Sequence, residues 1–176
     1  TLTATPIPRT LQLAISGARD LSIIATPPVD RYVIRTYVTE FDELMIKDAL
    51  MREYFRGGQS FFIVPRVRDI DQITRFLKEN VPKLRVGIAH GQLSARVLDK
   101  TMSAFYENHF DVLLATSIVE SGLDIPTANT LIIYKAELFG LAQLYQIRGR
   151  VGRSKVRAYA YLLTDSKKPI TTQAEK

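Results

Sequence analysis

Two hydrophobic periods alternate along the chain. Short runs of mostly apolar residues, rich in β-branched and aromatic side chains, are typical of strands that are buried on both faces. Longer stretches place apolar residues three or four positions apart; in Asp69–Val81, one helical face carries Ile70, Ile73, Phe76 and Leu77. The regular exchange of the two patterns predicts repeated strand–helix units.

The patterns predict strands and helices with definite bounds. The predicted strands are Tyr32–Val38, Ser60–Val64, Arg85–His90, Asp111–Thr116, Thr130–Ala136 and Arg157–Thr164. The predicted helices are Phe41–Gly58, closed by a glycine pair, Asp69–Val81, Ser94–Phe110, with Ser94 as N-cap, and Gly140–Ile147. Apolar strands joined by helices predict an α/β fold, a three-layer domain with a mainly parallel sheet covered by helices on both faces.

Composition narrows the class of protein. The 176 residues suit one main domain, which we assign to residues 26–165, with residues 1–25 leading in from a preceding domain and 166–176 as a polar tail. The absence of cysteine excludes disulfides and thiolate metal sites and fits the cytoplasm. No apolar run approaches the about 20 residues that span a bilayer, so no membrane partner is expected. A formal charge of +6 permits a polyanionic partner without requiring one.

The segment Gln146–Arg153, QIRGRVGR, concentrates three arginines and two glycines. We call it the arginine segment. Arginine stays charged and its planar fork suits phosphate oxygens, while glycine allows a close approach of the backbone. The segment is either a phosphate clamp or a solvated basic loop. Ligands of parallel sheets meet the loops at the carboxyl ends of strands, so we expect the arginine segment, His90–Gln92 and Thr116–Asp124 in or near such loops.

Four segments together resemble one family. TATPIPRT, HGQLS, ATSIVESGLDIPTAN and LAQLYQIRGRVGRS stand in the order of motifs III, IVa, V and VI of superfamily 2 helicases. Within that superfamily the chain resembles the transcription-repair coupling factors (Mfd), with the RecG branch-migration helicases as near relatives. The segments Asp124–Thr130 and Thr171–Lys176 resemble the coupling factors more than RecG.

The resemblance implies the second RecA-like lobe of an ATP-driven translocase on double-stranded DNA. ATP with Mg²⁺ would lie between this lobe and the first, which would supply the metal ligands. Arg150 and Arg153 would be arginine fingers beside Gln146, and Gly122 with Asp124 would approach the nucleotide. Partners of the whole protein would be RNA polymerase and an excision-repair protein, bound by regions outside this chain.

The same resemblance implies a set of DNA contacts. Thr116 and Ser117 would meet phosphate through hydroxyls, and His90 and Gly91 through the backbone, which gives tracking without sequence preference. Arg66 is either a DNA-phosphate contact or a solvated residue at the sheet edge.

Other interpretations of these residues stay open. Asp124 fits a turn cap, Glu120 a structural ion pair and His90 a hydrogen-bonded structural residue. Tyr145 stands where these families usually have histidine, which leaves the role of that position in doubt. A RecG-type lobe and a non-catalytic interaction module are the alternative functions.

We predict that this chain alone does not hydrolyse ATP. It has no GxxxxGK[ST] phosphate loop and no DExx-type acidic cluster after a strand, so the phosphate cradle and the Mg²⁺ ligands would lie elsewhere. A steady-state ATPase assay with saturating double-stranded DNA tests this. DNA-stimulated turnover by residues 1–176 would contradict it.

Overall fold

The computed structural model describes residues 33–116 and 125–165. The strands are β1 Arg35–Glu40, β2 Gln59–Ile63, β3 Val86–Ala89, β4 Val112–Ala115, β5 Ala128–Ile133 and β6 Tyr159–Thr164. The helices are α1 Glu43–Phe55, α2 Arg68–Asn80, α3 Ala95–Tyr106 and α4 Leu141–Arg148, with a 3₁₀ turn at Ala136–Leu138. The six strands and four helices were all predicted, with ends that differ by a few residues, whereas the 3₁₀ turn was not.

The helix ends have local causes. Helix α1 begins later than predicted because the Asp42 side chain accepts a hydrogen bond from Met45 N at 3.0 Å and caps the helix. It ends before the glycine pair, where Gly57 takes a left-handed φ of 73°. Ser94 caps α3 as predicted. That helix stops at Tyr106, short of Phe110, and Asn108 just beyond it has a φ of 62°.

The strands form one sheet in the order β1-β6-β5-β2-β4-β3, and every pair is parallel. Consecutive side chains on a strand therefore face opposite layers. On β2, Phe62 packs with α1 and α2, whereas Phe61 and Ile63 pack with α3 and α4. The predicted α/β fold, with helices on both faces of the sheet, is confirmed.

Burial on both faces leaves two edges for polar chemistry. We call the side on which the strands begin the amino edge and the side on which they end the carboxyl edge. At the amino edge, the buried Glu53 carboxylate pairs with Arg56 and accepts from Thr130 Oγ1 at 2.6 Å. Arg85 binds Asp111 nearby at 2.7 Å. Burial alone would raise the pKa of Asp111, but its hydrogen bonds and charge contact with Arg85 lower that pKa below its ordinary value.

Candidate nucleotide and DNA sites

The arginine segment lies at the amino edge of the sheet. It consists of the end of α4 and the first part of the loop before β6. Helix α4 runs back from the carboxyl edge to the amino edge, as a connection between parallel strands must. Ser154, the next residue, bonds to Asn129 near the start of β5. The expectation of a position near the carboxyl ends of strands was therefore wrong for this segment.

Two apolar side chains fix the arginine segment to the domain. Ile147 and Val151 are 3% and 2% exposed and belong to the core cluster on the α3 and α4 side. The backbone between them continues the helical turn, because Gly149 N donates to Tyr145 O and Arg150 N donates to Ile147 O, both at 3.0 Å. A freely solvated loop would not bury Val151 in this way. The buried residue holds the arginines on either side of it at defined positions.

The two glycines of the segment have different roles. Gly152 has a φ of 72°, and a Cβ placed there would lie 3.0 Å from Ala158 Cβ and 3.2 Å from Ile34 Cγ1. Both the conformation and the close contact require glycine. Gly149 has a φ of −66°, and its nearest outside atom would be Tyr145 O at 3.4 Å, which is ordinary contact. The fold of this domain therefore does not explain Gly149.

The three residues that we predicted to be catalytic share this stretch of chain. Gln146, Arg150 and Arg153 are all half-buried. Arg153 Nε donates to Gly149 O at 3.3 Å, which satisfies a carbonyl at the carboxyl end of α4 and suits the helix dipole. Arg148 lies differently, with its guanidinium 4.9 Å from the centroid of the Tyr145 ring. This cation–π contact holds Arg148 against its own helix.

An exposed apolar stripe runs beside the arginine segment. Leu141 and Tyr145, four residues apart on α4, are each 47% exposed, and Leu138 in the 3₁₀ turn before the helix is 40% exposed. Adjacent apolar residues at this exposure indicate a contact surface rather than a core face. The stripe therefore marks the α4 side of the domain as one that another body can cover.

The predicted DNA contacts that the structure describes lie at the carboxyl edge. Arg66 follows β2 and is exposed, and His90 and Gly91 follow β3. Gly91 is open, since a Cβ there would have no neighbour within 4 Å. His90 is half-buried, and its Nδ1 has no hydrogen-bond partner within residues 33–116 and 125–165. Thr116 follows β4, is 8% exposed and donates its N–H to Ala89 O at 3.2 Å.

The described residues that flank the predicted motif V lie towards opposite edges of the sheet. Ser117, Gly122 and Asp124 lie outside the described residues. Thr116 before them stands at the carboxyl edge, and Ile125 after them shares the buried cluster of Ile147 and Val151. Thr116 therefore lies beside the predicted DNA contacts after β3, and Ile125 packs in the same core cluster as the apolar residues of the arginine segment.

Sequence reasoning missed an ion pair at the carboxyl edge. Lys135 Nζ lies 3.4 Å from Oδ1 of the buried Asp69 and 4.8 Å from the Tyr134 ring centroid. Burial lowers the pKa of Lys135, but Tyr134 and Asp69 outweigh it and raise that pKa above its ordinary value. A cavity of about 200 Å³ lies beside the pair, lined by Glu40, Phe41, Tyr134, Lys135, Thr164 and Asp165. The arginine segment is at the opposite edge.

Two further observations on the described residues concern metal binding and membrane spanning. In residues 33–116 and 125–165, His, Asp and Glu side chains form no group of three or more that could hold a metal ion. None of the helices in that part of the chain is long and apolar enough to cross a membrane.

Comparison with known proteins adds the family. Residues 43–155 match the model of the helicase conserved C-terminal domain. The chain belongs to that family. Its curated relatives include the transcription-repair-coupling factors of Rickettsia bellii, 55% identical over 97% of this chain, and of Escherichia coli K12, 53% identical over all of it. The chain spans only 15% of the length of either relative.

Solved structures give the same fold. RecG bound to a three-way DNA junction superposes with a TM-score of 0.78 and 36% identity, over 93% of this chain and 22% of that one. The Saccharomyces cerevisiae protein Dbp5, bound to RNA and ADP BeF3, gives a TM-score of 0.67 at 21% identity, over 93% of this chain and 44% of that one. The second likeness concerns the fold alone. This helicase C-terminal domain is therefore one lobe of the kind found in superfamily 2 helicases.

The contrast between the glycines gives a stability prediction. Gly152→Ala should lower the free energy of unfolding by about 1–3 kcal/mol, because it strains the backbone and presses on Ala158 and Ile34. Because Gly149 has a right-handed backbone conformation, Gly149→Ala should leave the free energy of unfolding unchanged or raise it by up to about 1 kcal/mol. Urea denaturation of the two variants measures both. Equal effects of the two substitutions would refute the assigned geometry.

Proposed function

We propose that this chain is the second motor lobe of an ATP-dependent translocase on double-stranded DNA, which couples transcription to DNA repair by displacing stalled RNA polymerase. The arginine segment carries the proposal. It is fixed to the amino edge by Val151 and Gly152, and it holds Arg150 and Arg153 at defined positions on the domain. The 53–55% identity to transcription-repair-coupling factors over nearly the whole chain supports the cellular role.

The arginines would act on charge that develops during phosphoryl transfer. In a loose transition state, negative charge spreads over the phosphate oxygens, and a positioned guanidinium stabilises it with two N–H donors. Arg150 and Arg153 would supply this charge from the second lobe, while Gln146, Gly122 and Asp124 would complete its side of the nucleotide site. Gly149, which this fold does not require, is placed for a close approach of the backbone to the nucleotide. Mg²⁺ bound by the first lobe would neutralise phosphate charge.

Contact between lobes would bring the arginines to the nucleotide. The stripe of Leu138, Leu141 and Tyr145 lies on α4 and just before it, and α4 carries Gln146. Burying this stripe against the first lobe would exclude water from the arginines and strengthen their interaction with phosphate. Tyr145 would take part in this contact through its exposed phenol ring.

DNA would bind at the carboxyl edge. Arg66, His90, Gly91, Thr116 and Ser117 would contact phosphates, which report position and not sequence. The DNA contacts and the nucleotide contacts would then lie on opposite edges of one sheet. Motif V, which follows Thr116 at the carboxyl edge and precedes Ile125, would connect the two sites.

A RecG-type lobe of a branch-migration helicase is the second candidate. The superposition on RecG supports it, at 36% identity. The identity to the coupling factors is higher over a similar share of the chain, which favours the first proposal. A non-catalytic interaction module is less favoured, because such a module has no need for two arginines held on a preformed backbone.

We predict that Arg150→Ala and Arg153→Ala, each made in the whole protein, reduce ATP turnover by roughly 10³-fold or more and leave ATP binding largely intact. The reason is that most ground-state phosphate contacts would come from the first lobe. Lysine at either position should recover little turnover, because one ammonium cannot form a two-pronged contact. Steady-state ATPase assays with saturating DNA, together with a nucleotide-binding titration, measure the two effects.

Arg148→Ala is the matched control for these variants. It removes the same charge from the same segment, but its guanidinium lies over the Tyr145 ring. Turnover of this variant should stay within a few-fold of wild type. Wild-type turnover by both Arg150→Ala and Arg153→Ala would show that the segment is a basic surface and would refute the finger assignment.

We predict weak, salt-sensitive binding of this chain to double-stranded DNA without sequence preference, because the proposed contacts are to phosphate. Arg66→Ala should weaken binding equally for all sequences and reduce the slope of log K against log salt by about 1. Lys83→Ala, the same change of charge at an exposed position before β3 on the amino edge, should leave the slope unchanged. Titrations of two unrelated duplexes at several salt concentrations separate these outcomes, and a strong preference for one sequence would contradict the proposal.

A further inference from the structure

We infer that Asn129 and Ser154 form a positioning pair that holds the arginine segment in its working geometry. The inference rests on the proposed function of Arg150 and Arg153. It concerns two residues that touch neither nucleotide nor DNA in that proposal. Their effect on turnover would pass through the backbone of Arg153.

The hydrogen bond between the two residues has a defined direction. Asn129 is 3% exposed, and its Nδ2 donates to Thr127 O at 3.1 Å. Because a carbonyl can only accept, the amide nitrogen must face Thr127, and Asn129 Oδ1 faces Ser154. Ser154 Oγ donates to that oxygen at 2.9 Å and accepts from Val156 N at 3.4 Å. The Asn129 amide thus has a partner on each side, and Ser154 bonds in both directions.

A second amide supports the first from inside the domain. Gln59, at the start of β2, is 2% exposed, and its Nε2 donates to Phe105 O and Phe110 O at 2.7 and 2.8 Å. The Oε1 atom of Gln59 accepts from Thr127 Oγ1, and the backbone N–H of Gln59 donates to Thr127 O at 2.8 Å. The polar chain therefore runs from the end of α3 through the starts of β2 and β5 to Ser154. Buried groups that are fully hydrogen-bonded in this way favour a single arrangement.

The backbone of Arg153 lies between two anchored residues, Gly152 and Ser154. On one side of Arg153, Gly152 is held in a left-handed conformation against Ala158 and Ile34. On the other side, Ser154 is bound to the buried Asn129. The backbone of Arg153 is therefore determined from both sides, so its side chain starts from a fixed point. A small displacement of a catalytic group costs much of its effect on rate, which gives such anchoring a function.

Asn129 is an unexpected residue on fold grounds alone. It lies where the register of β5 against β2 shifts, between the pairs Gln59–Ala128 and Ser60–Thr130, and the later residues Leu131 and Ile133 are apolar and fully buried. An aliphatic residue at position 129 would suit a buried strand without the cost of desolvating an amide. The contacts with Thr127 and Ser154 together account for an amide at this position.

The test is made in the whole protein with Ser154→Ala and Asn129→Ala, each alone and combined with Arg153→Ala. We expect each single variant to lower kcat for DNA-stimulated ATP hydrolysis roughly 10- to 100-fold with a smaller change in KM for ATP, because positioning acts on the transition state. In the Arg153→Ala background, Ser154→Ala should cause no further loss. Ser154→Thr, which keeps the hydroxyl, should restore most of the turnover.

A matched control removes a different buried hydroxyl. Thr74 Oγ1 on α2 is buried and has no hydrogen-bond partner in the described part of the chain, so Thr74→Val should leave kcat unchanged. Amide hydrogen exchange of residues 1–176 supplies a readout without catalysis. Ser154→Ala should speed exchange at Val156 and Arg150 while α2 keeps its protection.

The outcomes separate the two proposals. If Arg153→Ala abolishes turnover but Ser154→Ala and Asn129→Ala keep wild-type kcat, the positioning pair is refuted and the proposed function stands. If the losses from Ser154→Ala and Arg153→Ala are additive, Ser154 acts on overall stability and the inference is also refuted. If Arg153→Ala keeps wild-type turnover, the proposed function itself fails.

Discussion

The burial of the sheet on both faces constrains everything else in this domain. Each inner strand presents one side chain to the α1 and α2 layer and the next to the α3 and α4 layer, so neither face can carry water-exposed chemistry. Functional side chains are left with the two edges, where strands become loops. The arginine segment occupies one edge and the candidate DNA contacts occupy the other. The separation of the two sites follows from the way the core is packed.

The sequence predicted the elements well because their patterns are local. Helix α2 buries the face formed by Ile70, Ile73, Phe76 and Leu77, as its spacing indicated. The all-parallel pairing also follows, because the inner strands are apolar on both faces and consecutive strands are joined by a helix or a long connection. The ends of elements were less certain because they depend on single residues, such as the Asp42 cap and the left-handed Asn108.

The arginine segment was predicted at the wrong edge of the sheet, and the error has a physical cause. The rule that ligands meet the carboxyl ends of strands applies to loops that leave a strand, and this segment leaves a helix. The pair of Asn129 and Ser154 could not be found from the sequence, because two polar residues 25 positions apart become partners only through the fold. The sequence shows only that Asn129 and Thr130 are polar residues at the start of a strand that continues as Leu131–Ile133. Gly152 gave no signal, since its conformation cannot be told from that of Gly149 by residue type.

The parallel pairing of β1 with β6 has a mechanical consequence. The two strands are in register from Arg35 with Tyr159 to Glu40 with Thr164, and the described chain enters β1 at the amino edge and leaves β6 at the carboxyl edge. A tension applied through these two ends pulls the strands past each other along their length. The hydrogen bonds of the pair then share the load together instead of opening one after another. Between residues 33 and 165, this pair of strands therefore resists extension in shear rather than by peeling.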